Sequence, residues 1–181
     1  MTIVTTFYPM YDFTKEIVGD EGNVKLLIPA GTEPHDFEPS AKERAEISDA
    51  DVFVYNSSDM EFFVDSLKDS VDSKQTLMIE AAKGINRLES QEADEHEESE
   101  EGHDHAHEYD PHVWLDPVLA IKEVRTIAGE LGEKYPDKRK YLRRMLMLIS
   151  KSLKHWIKNT PKNSKMRQTA HSSLSMLLLL I

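Results

Sequence analysis

The sequence predicts an α/β fold in which a parallel sheet is flanked by helices, and two features support this prediction. Four short runs rich in β-branched, aromatic or aliphatic residues alternate with segments of roughly ten residues that have helical spacing. Such alternation implies parallel strands joined by crossover helices. The chain has 181 residues, enough for one good core or for one lobe of a larger protein.

The four predicted strands and the first two helices follow one another in the first eighty residues. The strands are expected at residues 3–7, 24–28, 51–55 and 76–79. A helix with apolar residues at helical spacing is expected from Met10 to Gly19, after the first strand. Ser40 and Glu43 form a capping-box pattern, which predicts a second helix from this point to about residue 48.

Three more helices are predicted, one between the third and fourth strands and two after the fourth strand. Asp59 is expected to cap a helix that runs through Val71, with Phe62 among its apolar residues. Asp116 and Pro117 provide a cap and a proline at the first helical position, so a helix is expected from there to about residue 134. Another helix is predicted to begin near Pro136.

An acidic segment, residues 89–110, separates the four strands from the last two helices. It contains 11 acidic residues and no Lys or Arg, which equals the net charge of −11 for the whole chain. A segment without a hydrophobic period and with many like charges is expected to be disordered. The acidic balance also argues against nucleic acid as a partner, because nucleic acid favours basic patches.

The composition and the chain ends add weaker expectations. There is no cysteine, so neither a disulfide framework nor a thiolate site is expected. The apolar run at residues 176–181 is far shorter than the roughly 20 residues that span a bilayer. Residues 2–7 are already strand-like, so we expect an export signal to be absent from this chain.

Two histidines lie in loops that are expected to meet. The loop of residues 30–39 follows the second strand directly, so His35 falls at the edge where parallel sheets bind ligands. His112 lies between two Asp-Pro corners, and either Asp110 or Asp116 is expected to orient its ring. A solvated histidine and a rigid turn explain each motif singly, but two histidines at one sheet edge favour metal binding.

The remaining histidines of interest lie in the acidic segment. His103, His105 and His107 alternate with Asp104 and an alanine. We interpret the segment as an auxiliary loop that gathers metal cations through charge and multivalency, more weakly than a preorganised site. A solvated acidic linker is the alternative.

The carboxyl-terminal tail, from about residue 145, differs from the rest of the chain. It has no Asp or Glu, six Lys plus Arg, and no clear hydrophobic period. It is either a basic helical extension or, as we favour, an out-of-frame translation. Codons compatible with residues 145–159, read one base earlier, permit a charge-balanced amphipathic helix, and residues 166–181 treated likewise permit F-V-T-Q-H-A-A-F.

Several phrases resemble the zinc-binding solute-binding proteins of bacterial ABC transporters, the ZnuA/AdcA-like family of metal-binding adhesion lipoproteins. They are T-T-F-Y-P-M-Y-D-F-T-K-E-I-V-G-D, G-T-E-P-H-D-F-E-P-S, D-A-D-V-F-V-Y-N, the acidic His-rich loop and D-P-H-V-W-L-D-P. The resemblance covers about residues 2–144. It implies two α/β lobes joined by a long helix, with residues 1–135 as the amino-terminal lobe and residues 136–181 as the start of the linking helix running into the tail.

The resemblance also implies a function and its residues. His35 and His112 look like two zinc ligands from the amino-terminal lobe, while His96, His103, His105 and His107 look like the auxiliary loop. The family's third histidine, in T-Q-H-A-A-F, and its second-lobe carboxylate are not in frame here, so weakened zinc binding is expected. His171 matches that phrase only superficially.

Zinc capture by a monomer for an ABC permease, at the outer face of the membrane or in the periplasm, is therefore the expected function. The alternatives are a manganese-binding relative, which the histidines disfavour because manganese prefers carboxylates, and a surface adhesin that uses the acidic loop. A zinc hydrolase would need three protein ligands and an open position, and no nucleophile or nucleotide motif supports an enzyme.

Overall fold

The computed structural model describes residues 1–85 and 110–160. The predicted parallel sheet is confirmed: four strands, β1 (Thr2–Thr5), β2 (Asn23–Leu26), β3 (Val52–Tyr55) and β4 (Leu77–Glu80), lie in the order β2-β1-β3-β4 and all pair in parallel. Because β2 and β3 lie on opposite sides of β1, the strand order reverses at the β1–β3 boundary. In open α/β sheets, ligands bind in the crevice at the carboxyl ends of the strands at such a point.

Each of the four strands has four residues. β3 is buried along its whole length, as expected for an aromatic and β-branched run in the middle of a parallel sheet. β2 alternates between exposed and half-buried residues, as expected for an edge strand.

Five helices accompany the sheet: α1 (Tyr8–Val18), α2 (Ala41–Asp49), α3 (Phe63–Lys68), α4 (Pro117–Lys134) and α5 (Arg139–Asn159). The capping box predicted for α2 is present, since the Ser40 hydroxyl accepts from the Glu43 backbone N–H and the Glu43 carboxylate accepts from Ser40. Asp116 caps α4 as predicted, through the N–H groups of Val118 and Leu119. The described helices include none long and apolar enough to cross a membrane.

The predicted third helix was wrong at both ends. α3 covers only Phe63–Lys68, and no side chain caps it. Asp59 lies instead in a turn in which the backbone N–H groups of Met60 and Glu61 donate to the Ser57 carbonyl. Phe62 precedes the helix and is 38% exposed, rather than packed on an apolar helix face.

The carboxyl-terminal tail has a hydrophobic period, although none was clear from its sequence. α5 runs unbroken through residue 145 and buries Leu142, Ile149 and Leu153, which are separated by seven and four positions. These side chains belong to the same core as the sheet, and α5 packs mainly on α4 and α1. Met147 and Leu148, which are apolar but 66% and 45% exposed, obscured this stripe in the sequence. The reading-frame interpretation of the tail remains a prediction.

Candidate metal site

Two histidines meet at the carboxyl edge of the sheet. His35 lies in the loop after β2, and His112 precedes a 3₁₀ helix (Val113–Leu115) that leads into α4. Their ring centroids are 5.7 Å apart, with the ring planes inclined at 61°. Two Zn–N bonds of about 2.0–2.1 Å that meet at a tetrahedral angle place the centroids of two imidazoles roughly 5–6 Å apart. The pair therefore has the spacing of two ligands of one zinc ion.

One carboxylate orients the His112 ring. Asp110 Oδ1 lies 2.7 Å from His112 Nδ1 and also accepts the His112 backbone N–H at 3.0 Å. With Nδ1 engaged in this way, Nε2 is the nitrogen that remains to face a metal ion. Asp116, the other candidate, is occupied as the α4 cap. The tertiary structure thus distinguishes the orienting carboxylate from the capping one.

Each histidine also lies against an aromatic side chain. The His112 ring is 5.2 Å from the ring of Trp114, and Trp114 packs edge-on against Phe7 at 4.7 Å. Trp114 is buried, so it anchors the loop of His112 to the core. On the other side, the His35 ring lies 5.7 Å from the ring of Phe62.

A buried carboxyl group at the carboxyl ends of β1 and β3 was not predicted. Glu61 is fully buried, and it accepts hydrogen bonds from the Thr6 hydroxyl at 2.5 Å and from the backbone N–H groups of Asn56 and Ser57 at 3.0 and 3.1 Å. Burial raises the pKa of Glu61 to about 7, although these three hydrogen bonds oppose the rise. The available signal was an acid between Met60 and Phe62, shortly after a buried strand.

A second buried acid, Glu123, projects from the middle of α4. It is 0% exposed, and neither carboxyl oxygen has a hydrogen-bond partner among the described residues. Burial, with a smaller contribution from the charge of Glu61, raises the pKa of Glu123 well above its ordinary value. Glu123 lies between Lys122 and Val124 in the sequence, and no motif marks it as buried.

The other proposed metal-binding histidines, His96, His103, His105 and His107, lie outside the described residues. Within residues 1–85 and 110–160, no group of three or more His, Asp or Glu side chains could hold a metal ion. The candidate site in the described residues therefore consists of two histidines and the carboxylate of Asp110.

Comparison with known proteins gives one family. The family model described as "Zinc-uptake complex component A periplasmic" matches residues 3–174, which extends into the basic tail. The zinc-binding lipoprotein AdcA of Streptococcus pneumoniae is 52% identical over 141 residues, covering 77% of this chain and 28% of the relative. The high-affinity zinc uptake system protein ZnuA of Bacillus subtilis is 51% identical over 139 residues, covering 77% of this chain and 44% of the relative.

Solved structures agree with this result. Zn(II)-bound AdcA from Streptococcus pneumoniae matches with a TM-score of 0.76 at 44% identity, over 87% of this chain and 31% of that one. The laminin-binding protein Lmb of Streptococcus agalactiae, described as a bifunctional protein with adhesin and metal-transporting activity, matches with a TM-score of 0.69 at 34% identity, over 87% and 54%. The chain thus spans about half the length of these relatives or less.

Proposed function

Since this chain belongs to the family of periplasmic zinc-uptake component A proteins, we propose that it takes up Zn²⁺ as cargo through His35 and His112. The family consists of solute-binding proteins rather than enzymes. The proposed site therefore holds and releases the ion and performs no chemical step.

The observation that supports this proposal most directly is the approach of the two imidazoles. Their ring centroids lie 5.7 Å apart although the two residues come from loops far apart in the sequence. Asp110 engages the Nδ1 atom of His112, which is the usual arrangement for a zinc-binding histidine. Two protein ligands leave further coordination positions to water or to groups outside the described residues.

Zinc is the proposed cargo rather than manganese. Imidazole nitrogen suits zinc, whereas manganese prefers oxygen ligands, and the described site offers two imidazoles. The auxiliary role of His96, His103, His105 and His107 is part of this proposal: the acidic loop raises the local concentration of cations near the site. We further propose that the protein is a monomer, that it delivers zinc to an ABC permease, and that it lies at the outer face of the membrane or in the periplasm.

Calorimetric titration with Zn²⁺ and Mn²⁺ tests it. We expect His35→Ala and His112→Ala each to weaken the tightest zinc-binding event by at least about tenfold, because each removes one ligand from a site with few. Deletion of residues 89–109 is expected to remove weaker sites and to retain that event. Manganese is expected to bind more weakly than zinc throughout.

His155→Ala provides the matched control. His155 lies on α5, exposed, with its ring bonded to Asn159 rather than near the sheet edge. Its removal should leave the tightest zinc-binding event unchanged. Equal zinc affinity in the wild type, His35→Ala and His112→Ala would refute the proposed site.

A further inference from the structure

The backbone turn at His112 is held in place by Asn56, which lies at the end of β3. The Pro111 carbonyl accepts the Val113 N–H at 2.8 Å, which closes a tight turn with His112 as its central residue at φ −78° and ψ 42°. The same carbonyl accepts the side-chain amide of Asn56 at 3.0 Å, in a buried bond between segments 55 positions apart. Both lone pairs of this oxygen are therefore engaged around the proposed ligand.

The side-chain amide of Asn56 can make this hydrogen bond in only one of its two orientations. Its Nδ2 atom donates to the Pro111 carbonyl, whereas the opposite assignment would place Oδ1 against another acceptor oxygen. Asn56 itself directly follows β3 and is fully buried, so it is a rigid point of attachment.

Glu61 fixes Asn56 in turn. Its carboxyl group accepts the backbone N–H groups of Asn56 and Ser57, and the Thr6 hydroxyl binds the same oxygen as Asn56. These contacts tie together the carboxyl ends of β1 and β3, on either side of the crevice. No residue of this network is a proposed metal ligand, and each is at least nine-tenths buried.

We propose that Asn56 and Glu61 are positioning residues for the metal ligand His112: Glu61 holds Asn56, and Asn56 holds the turn that aims the imidazole at the site. This inference rests on the proposed zinc-binding function. It adds that ligand geometry depends on an uncharged side-chain amide at residue 56, a requirement separate from the orienting role of Asp110.

The test uses Asn56→Asp, which has the same shape but places an oxygen against the Pro111 carbonyl, together with Asn56→Ala and Glu61→Gln. Zinc affinity is measured by calorimetry, and the ring-nitrogen resonances of His112 are recorded without metal. We expect at least one of these variants to fold, to bind zinc about 10–100-fold more weakly, and to shift the His112 resonances. Asn159→Asp, the same change on α5, should alter neither.

A double-mutant cycle separates positioning from general destabilisation. If Asn56 acts through His112, Asn56→Ala should weaken zinc binding in the wild-type and His35→Ala backgrounds and have no further effect in His112→Ala. Equal losses in all three backgrounds, or folded variants with wild-type affinity and unchanged His112 resonances, would overturn the inference. If the proposed zinc-binding function were wrong, the result would differ, because His112→Ala would leave zinc binding unchanged. The His112 resonances of the metal-free Asn56 and Glu61 variants would still show whether these residues position the ring.

Discussion

Replacing Asp110 tests whether the carboxylate beside His112 contributes to metal binding. Asp110→Ala removes both the contact to Nδ1 and the acceptor for the His112 backbone N–H, at 2.7 and 3.0 Å. The ring then loses the group that fixes its orientation and its tautomer, so Nε2 is presented for only part of the time.

The expected loss of zinc affinity depends on how exposed the side chains of His112 and Asp110 are. Loss of a group that orients a ligand typically lowers metal affinity about 10–100-fold. Here the side chains of His112 and Asp110 are 42% and 56% exposed, so solvent screens their interaction and water can replace part of it. We therefore expect a loss near the lower limit, about tenfold, which corresponds to about 1.4 kcal/mol.

Competition with a chromophoric zinc chelator at constant pH measures this loss. Asp110→Asn serves as the matched variant, because an amide oxygen still accepts both hydrogen bonds but carries no charge; it should lose less than Asp110→Ala. Asp116→Asn controls for charge nearby, since Asp116 acts on α4 and not on the ring. If Asp110→Ala bound zinc as tightly as the wild type while His112→Ala did not, the assignment of Asp110 as the orienting group would be refuted.

Three further predictions concern stability, each measured by thermal or denaturant unfolding. Because burial raises the pKa of Glu123 in the folded state, this residue should make the wild type less stable as the pH rises above about 4.5, its pKa in the unfolded chain. The unfolding temperature of Glu123→Gln should equal that of the wild type near pH 4 and exceed it increasingly towards pH 8, by about 2–4 °C for each kcal/mol of stability gained. A difference that stays constant with pH would contradict this prediction. Leu153→Ala should cost about 2–5 kcal/mol if α5 packs as described, whereas Met147→Ala, at a position 66% exposed, should cost little; equal losses would argue against this packing. Ser40→Ala should cost about 1 kcal/mol through loss of the α2 cap, and an unchanged unfolding midpoint would contradict that role.

Much of the fold followed from local patterns. The strands were recognisable because buried parallel strands are short runs of apolar residues between turns, and α2 and α4 because their caps are made by neighbouring residues. The third helix failed for the opposite reason. Asp59 looked like a cap, but buried hydrogen bonds from the Asn56 and Ser57 N–H groups to Glu61 hold residues 57–61 in a turn. The Thr6 hydroxyl, 55 positions away, binds the same carboxyl group, and this tertiary contact is absent from the local pattern.

The sequence by itself determined the chemistry of the site: two histidines in loops, placed next to carboxylates and close to aromatic residues. Residue types and spacing encode these features directly, and several phrases in order identified the family. The tertiary structure alone decided which groups act together. It brought His35 within 5.7 Å of His112, selected Asp110 over Asp116, and connected Asn56 to the turn of His112 across 55 positions. Such contacts depend on how β1 and β3 meet at the crevice, and that meeting depends on long-range strand pairing, which no local pattern in the chain records.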